Sequence, residues 1–391
     1  MTNKSIAILT WGLQGGSLAN YTTALVWGLW NIGFKDLSIY YVKSGIGDYI
    51  SIPPGVELVP LGTERVSKMP WQLAQNLRAK QPDFLITISS FVSIPAIIGW
   101  LLAGRTPTKL IVSQHSTMSY KAYVENKHDW KVRIQPWLSR LLYPLADGLH
   151  ANSQEVLEDL LTKIGIKFPP EKTLVTPNPV NSSAIAKYAE AESAHPWLKS
   201  KQQPVMVSVG RLAKQKNFPL LLQAFQIVRQ TVDAKLIVYG EGKERKALEE
   251  LVERLGIANY VSLAGYTPNP WASMAKADLF ILASTEEPFG LVIVEAMASG
   301  IPVIATDALG GGPRSILDGE KYGVLVPQDD PKALAQAAIE ILNDDQLRKS
   351  LIDLGQQRCQ FYSPENIAQK LVQFLQLELN EPELSSLPLV R

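Results

Sequence analysis

Short runs of apolar, mostly β-branched residues alternate along this chain with longer stretches whose apolar positions recur every three or four residues. In the first half the runs fall at 5–10, 37–42, 83–88, 109–113 and 148–152. In the second half they fall at 204–209, 234–239, 260–263, 278–282, 302–305 and 323–326. Many are apolar without strict alternation, as strands covered on both faces should be. The intervening stretches are long enough for crossover helices, so the pattern predicts an α/β protein with parallel sheets. It restarts near residue 204, after the polar, alanine-rich stretch 181–203 with His195-Pro196 near its middle. That stretch reads as a linker between an N-terminal domain, residues 1–185, and a C-terminal domain, residues 204–363. Two such Rossmann-like domains are expected to face each other across a cleft, where ligands commonly sit.

The chain end follows a different rule. Ile367, Leu371, Phe374 and Leu375 are spaced as one face of an amphipathic helix over 364–377. The terminal segment, about 364–391, either closes the second domain or crosses back to the first, and its Pro- and Leu-rich tail from Asn380 is expected to be loose. Residues 84–103 form the best candidate for a membrane span, but Pro95 interrupts them and Thr87, Ser89, Ser90 and Ser93 dilute them. A buried strand, a loop and a helix are the expectation there.

Composition narrows the function classes. With 391 residues the chain is too long for one ordinary core and comfortable for two domains. A net charge of +1 makes no global case for nucleic acid as a partner. One cysteine, Cys359, excludes an internal disulfide framework and a thiolate metal cluster, and fits a reducing compartment. The opening Met1-Thr2-Asn3-Lys4-Ser5 is followed by only a short apolar run, without the core and cleavage site of a signal peptide.

Five segments carry candidate chemistry. Val209-Gly210-Arg211-Leu212-Ala213-Lys214-Gln215-Lys216-Asn217 follows one strand run and precedes a helical stretch, 218–229. Gly210 permits a sharp turn, and Arg211 and Lys216 can converge on one anion, the first as a fork and the second as a point charge. A solvated basic loop is the plainer reading. In the second segment, Glu287 and Glu295 stand eight positions apart around Pro288-Phe289-Gly290-Leu291-Val292. Phe289 to Val292 are expected to form the first turn of a helix through Ala298, whose free N–H groups and dipole make an anion site. The apolar neighbours of Glu295 leave little room for a solvated stripe, and hydroxyl-rich ligands would supply partners for both acids.

The third segment, Trp11-Gly12-Leu13-Gln14-Gly15-Gly16-Ser17, follows the first strand run and lets backbone approach a ligand closely. Its glycines do not follow the G-x-G-x-x-G spacing, and tight strand-to-helix turns use glycine anyway. The fourth is His115, in Val112-Ser113-Gln114-His115-Ser116-Thr117, at the end of a strand that points toward the expected cleft. Blind, a single histidine is more often structural. The fifth is residues 118–140, where Lys121, Lys127, Lys131, Arg133 and Arg140 face Glu125 and Asp129, with Tyr120, Tyr123, Trp130 and Trp137 interleaved. Such a surface suits anionic lipid, a polymer or a diphosphate-bearing acceptor, and an ordinary helix with core aromatics is the competing reading. No D-x-D triplet, His/Cys cluster or G-x-x-x-x-G-K-[ST] loop occurs, so neither a metal nor a bound cofactor is expected.

Taken in order, Gly210-Arg211-Leu212 with Lys216, Tyr239-Gly240-Glu241-Gly242, the Glu287/Glu295 pair, and Asp307-Ala308-Leu309-Gly310-Gly311-Gly312-Pro313 followed by Gly323-Val324-Leu325-Val326-Pro327 resemble the retaining, nucleotide-sugar-dependent glycosyltransferases called family 4. The first half is similar more loosely, through Gly15-Gly16, His115 and Ala146-Asp147 with Asn152-Ser153. The resemblance implies the GT-B fold, a metal-independent hexosyl transfer and a set of roles. Arg211 and Lys216 would hold the donor diphosphate, Glu295 the ribose and Glu287 the transferred sugar. The backbone of Phe289, Gly290, Leu291 and Val292 would touch sugar and phosphate. Gly15 and Gly16 would approach the phosphates from the other domain, His115 would contact sugar or acceptor, and Tyr266 would frame the base. Two departures stand out: Pro288 where many relatives have glycine, and Ser315 after Arg314 where many place an acid.

On this resemblance the donor is a UDP-linked glucose, galactose or N-acetylhexosamine, with GDP-mannose as runner-up. The acceptor is a growing cell-envelope glycan, free or lipid-linked, as in polysaccharide biosynthesis. The implied location is cytoplasmic, with residues 118–140 offering a peripheral contact at the inner face of the plasma membrane. A nucleotide-sugar epimerase of the same architecture and a non-catalytic sugar-nucleotide-binding protein are the alternatives.

Overall fold

A computed structural model describes residues 4–47, 50–63, 65–104, 106–193 and 195–376. The terminal segment beyond 376, including the tail from Asn380, lies outside the described residues. The chain divides into two compact units, Met1–Pro179 with Ser363–Arg391, and Val180–Tyr362.

The first unit is built on a seven-stranded sheet, β1 (Ile6–Leu13), β2 (Leu37–Ile46), β3 (Glu57–Pro60), β4 (Phe84–Ile88), β5 (Lys109–Gln114), β6 (Gly148–Ala151) and β7 (Thr173–Val175). The strands are parallel and run in the order β3-β2-β1-β4-β5-β6-β7. The two edge strands, β3 and β7, escaped the sequence pattern. They are four and three residues long and only partly covered, so they carry no continuous apolar run. On one face of the sheet pack Leu73, Leu77, Ile97, Trp100 and Tyr143. On the other pack Leu25, Val26, Leu29 and Phe34, together with Ala368, Leu371 and Val372 of the helix Pro364–Phe374. That terminal helix lies against the helix Ser17–Asn31 at Gly28, where an added Cβ would stand 2.1 Å from the Pro364 carbonyl oxygen. Only glycine allows this approach, so the helix Pro364–Phe374 completes the covered face of the first unit.

The stretch 84–103 divides into β4 and the helix Ser90–Leu102. Among the described residues no helix is long and apolar enough to cross a membrane. Residues 118–140 do not form one helix. Short pieces, Met118–Tyr120, a π-helical turn Lys121–Glu125 and Trp130–Arg133, precede a longer helix, Gln135–Leu142. Tyr123, Trp130 and Trp137 are 52%, 68% and 59% exposed, which overturns the reading of these three as core aromatics.

The second unit holds a six-stranded parallel sheet, β8 (Val205–Val209), β9 (Lys235–Tyr239), β10 (Val261–Gly265), β11 (Leu279–Leu282), β12 (Val303–Thr306) and β13 (Val324–Val326), in the order β10-β9-β8-β11-β12-β13. It begins at Val180, earlier than the expected 204, because the stretch 181–203 is not a bare linker. It carries the helices Ser182–Ala189 and Pro196–Lys199. Tyr188 stacks on Trp271, Ser193 Oγ lies 2.9 Å from Ser273 Oγ, and His195 Nε2 lies 3.0 Å from Ser262 Oγ. A polar, alanine-rich composition hides such single-residue ties, since none of them leaves a periodic apolar pattern.

Candidate active site

In a parallel sheet all carboxyl ends of strands fall on one edge, and in the second unit β8 and β11 are neighbours there although 69 residues lie between Val209, the end of one, and Leu279, the start of the other. The chain leaves β8 at Gly210, makes a tight turn over Lys214–Lys216, and enters the helix Phe218–Val228 through Asn217 at φ 44°. The Tyr239-Gly240-Glu241-Gly242 turn presses on this loop. An added Cβ on Gly240 would stand 1.9 Å from the Gly210 carbonyl oxygen, and Leu212 N–H donates to the Glu241 carbonyl at 3.0 Å. That motif therefore shapes the basic loop by backbone contact.

After β11 the chain runs through Ser284 and Glu287 to Gly290, at φ 90°, and starts the helix Leu291–Ala298. Phe289 and Gly290 precede this helix, one correction to the expected first turn; the left-handed Gly290 turns the chain into it. Thr285 N–H donates to the Gln215 carbonyl at 2.8 Å, which ties the two loops together. The consequence is an ion pair between Lys216 Nζ and the Glu287 carboxylate, both side chains mostly buried, with Ser284 Oγ donating to the same carboxylate at 3.3 Å. Arg211 is exposed at the start of the same basic loop, and Leu291 and Val292 open the helix whose interior holds the buried Glu295. Tyr266, 66% exposed, follows the end of β10, next to the Gly240 turn whose N–H donates to the Gly265 carbonyl at 2.8 Å.

The acidic loop is itself supported from behind. Glu287 N–H donates to the Leu309 carbonyl at 2.7 Å, Leu309 N–H to the Thr285 carbonyl at 2.9 Å, and Gly312 N–H to the Glu287 carbonyl at 3.1 Å. Gln328 Nε2 reaches the carbonyls of Thr285 and Asp307 at 3.0 and 2.9 Å. Arg314, beside the departure at Ser315, donates to both carboxylate oxygens of Asp307 from Nε and one terminal guanidinium nitrogen.

The remaining candidates sit in the first unit. Gly15 and Gly16 have φ of 121° and 85°, and Gly16 caps the helix Ser17–Asn31. His115 lies just past the end of β5, half-buried, with the Tyr21 ring edge-on at 4.3 Å. Burial, with a smaller contribution from neighbouring His150, pushes its pKa down to about 3, and burial pushes His150 down to about 4. Both imidazoles are neutral at physiological pH.

Two family models match the chain: that of the glycosyl transferases group 1, over residues 190–358, and that of glycosyltransferase family 4, over residues 42–184. An N-acetylgalactosamine-N,N'-diacetylbacillosaminyl-diphospho-undecaprenol 4-alpha-N-acetylgalactosaminyltransferase from Campylobacter jejuni is 32% identical over 268 residues, 68% of this chain and 70% of that protein. The chain belongs to the GT-B glycosyltransferases of the group 1 and family 4 type. Solved structures agree on the fold. Anabaena HepE, in complex with UDP, superposes with a TM-score of 0.72 at 21% identity, over 95% of this chain and 99% of that one. The sucrose-phosphate synthase of Thermosynechococcus elongatus superposes with a TM-score of 0.76 at 22% identity, over 96% and 98%.

In this glycosyltransferase the structure brings Lys216 and Glu287 into contact, with Arg211 and Gly290 on the same two loops and Leu291 and Val292 at the helix start that follows. It also adds Ser284 and Gln328, which the sequence did not single out. A lone serine or glutamine between strands has no pattern of its own. Among the described residues no group of three or more His, Cys, Asp or Glu side chains could hold a metal ion.

Proposed function

We propose that this glycosyltransferase moves a hexose from a nucleoside diphosphate sugar to a hydroxyl of a glycan or lipid-linked glycan, with retention of configuration and without a metal. The observation that carries the reading is the Lys216–Glu287 pair at the carboxyl edge of the second sheet, beside Arg211 and a helix start. Arg211 and Lys216 hold the diphosphate and offset the charge that grows as the sugar–phosphate bond breaks. The Leu291 and Val292 amides add the field of the helix terminus. Glu287 accepts hydroxyls of the sugar, Glu295 the ribose diol, and Tyr266 borders the base. Gly15, Gly16 and His115 act from the first unit. The departing phosphate oxygen takes the proton of the acceptor hydroxyl as the new glycosidic bond forms on the same face, so no enzymic nucleophile is needed.

A UDP-linked donor is supported by the HepE structures, solved with UDP and with UDP-glucose. A lipid-linked envelope glycan is supported by the Campylobacter relative, whose acceptor is an undecaprenol diphosphate glycan. A panel of UDP- and GDP-sugars, followed for nucleotide release with and without acceptor, tests the whole reading. Release that depends on both one donor and a glycan acceptor is the expected result. Interconversion of the nucleotide sugar without acceptor would make the protein an epimerase, and binding without turnover a non-catalytic one.

We further infer that residues 118–140 rest on an anionic membrane surface, at the inner face of the plasma membrane. Five Lys or Arg stand there against two acids, and Tyr123, Trp130 and Trp137 project into solvent, a combination suited to the headgroup layer. Flotation with vesicles rich in phosphatidylglycerol at low salt is expected to carry the wild type upward and to leave Trp130→Ala/Trp137→Ala largely behind. Equal flotation of both, or none at all, would remove this surface from the account.

A further inference from the structure

The histidine past β5 does not stand alone. His115 Nε2 lies 2.8 Å from Ser113 Oγ, and the same oxygen is hydrogen-bonded to His150 Nδ1. On the far side His115 Nδ1 lies 3.2 Å from Asn178 Oδ1, and His150 Nε2 lies 2.9 Å from Thr176 Oγ1. Ser113, His150, Thr176 and Asn178 are all buried, at 0%, 3%, 2% and 7% exposure. Ser113 and His150 pair in register on adjacent strands β5 and β6, with side chains on one face. The five residues thus form one line across the ends of the first sheet, Asn178–His115–Ser113–His150–Thr176.

Donor and acceptor counting gives this line a direction. A serine hydroxyl has one proton and two lone-pair sites. Asn178 presents its carbonyl oxygen to His115, so Nδ1 carries the proton and Nε2 is an acceptor. Ser113 must then donate to His115 Nε2 and accept from His150 Nδ1–H. His150 Nε2 in turn accepts from the Thr176 hydroxyl. Each of the four ring nitrogens in the line thus has a side-chain partner.

We propose that Ser113 and His150 are positioning residues for His115, holding its imidazole as the neutral Nδ1–H tautomer with both ring nitrogens engaged inside the first unit. The proposal rests on the reading above that His115 contacts sugar or acceptor during transfer. It also specifies that contact: the ring offers a fixed edge and its backbone, and it does not take the acceptor proton. A ring held by two partners keeps its plane within the narrow range that transfer geometry tolerates.

The test uses the full-length protein labelled with ¹⁵N at histidine. Long-range ¹⁵N–¹H spectra report the protonated nitrogen of His115 without any substrate. The wild type is expected to show a single Nδ1–H tautomer from pH 5 to pH 9. Ser113→Ala takes away the donor to Nε2 while Asn178 still holds Nδ1–H; it is expected to shift the Nε2 resonance toward that of a free acceptor nitrogen, with a turnover about tenfold lower and a donor KM within about twofold of wild type. His150→Asn keeps an N–H donor near the Nδ1 position and is expected to retain the tautomer and most of the turnover. The proposal is overturned by an Nε2–H or mixed tautomer in the wild type, by an unchanged Nε2 resonance in Ser113→Ala, or by a shifted Nε2 resonance with unchanged turnover. A loss of turnover matched only by lost folded protein, measured by thermal unfolding, also overturns it. Should the wild type transfer no sugar from any donor, the function reading fails by itself, while the spectra still decide the tautomer.

Discussion

Replacing Arg211 and Lys216 together by alanine is expected to lower sugar transfer by about a thousandfold or more while the protein stays folded. The estimate follows from what such groups do. A positioned donor to developing negative charge commonly contributes about 10²–10³ in rate when removed singly. Two cations serving one diphosphate do not add independently, so the double variant is not expected to reach the product of the two. The single variants separate binding from structure. Arg211 is exposed, so Arg211→Ala should move the unfolding temperature little and act mainly on turnover. Lys216 is paired with the mostly buried Glu287, so Lys216→Ala also removes the partner of a carboxylate. It should cost about 1 kcal/mol of stability in addition to turnover. Rates with the best donor of the panel, set beside thermal unfolding, check both. Wild-type turnover in the double variant would sink the diphosphate assignment.

The second large effect is expected at a residue that has no side chain of its own. Gly312→Ala should destabilise the second unit by about 2–3 kcal/mol, a fall of roughly 6–9 °C in unfolding temperature for a unit of this size. An added Cβ would stand 2.2 Å from the Phe289 carbonyl oxygen, 2.4 Å from its carbon and 2.6 Å from the Glu287 carbonyl oxygen. All three are backbone atoms, so no rotamer change relieves the contact. The loop carrying Glu287 must move, and the Gly312 N–H bond to the Glu287 carbonyl is strained with it. A displacement near 1 Å of a sugar-holding group costs about 10² in transfer rate. Gly319→Ala is the comparison. Its φ is 71° but its added Cβ meets nothing within 4 Å, so it should cost about 1 kcal/mol through backbone strain and leave turnover intact. Equal, small effects of the two substitutions would show that the glycine-rich loop does not brace the acidic one.

These two predictions mark what could be read before the fold was known. Arg211, Lys216, Glu287 and Glu295 were legible because charged residues beside glycine turns and inside apolar runs break a strong local pattern. Gly240 and Gly312 were legible only as glycines; that each is pressed against another loop's backbone depends on atoms 30 and 23 positions away (Gly210 and Phe289). His115 was legible by its place at a strand end. Ser113, His150 and Asn178 were not, because a polar residue that satisfies another polar residue inside a core leaves no mark on periodicity. The boundary at 180 was misplaced for the same reason, since Tyr188, Ser193 and His195 tie their stretch to the second unit one contact at a time.

By itself the sequence determined two parallel α/β sheets, the strands of their centres and the chemistry available at the second one. Burial on both faces forces apolar runs, and turns force glycine, so both leave local traces. Tertiary structure alone decided which loops meet. Strand order β10-β9-β8-β11-β12-β13 sets β8 beside β11, and only that adjacency pairs Lys216 with Glu287. The return of the helix Pro364–Phe374 to the first unit is of the same kind. An amphipathic helix announces that it needs an apolar partner, but the free energy of covering it is nearly the same on any fitting surface. Which surface it covers is settled by shape, here by the close approach at Gly28.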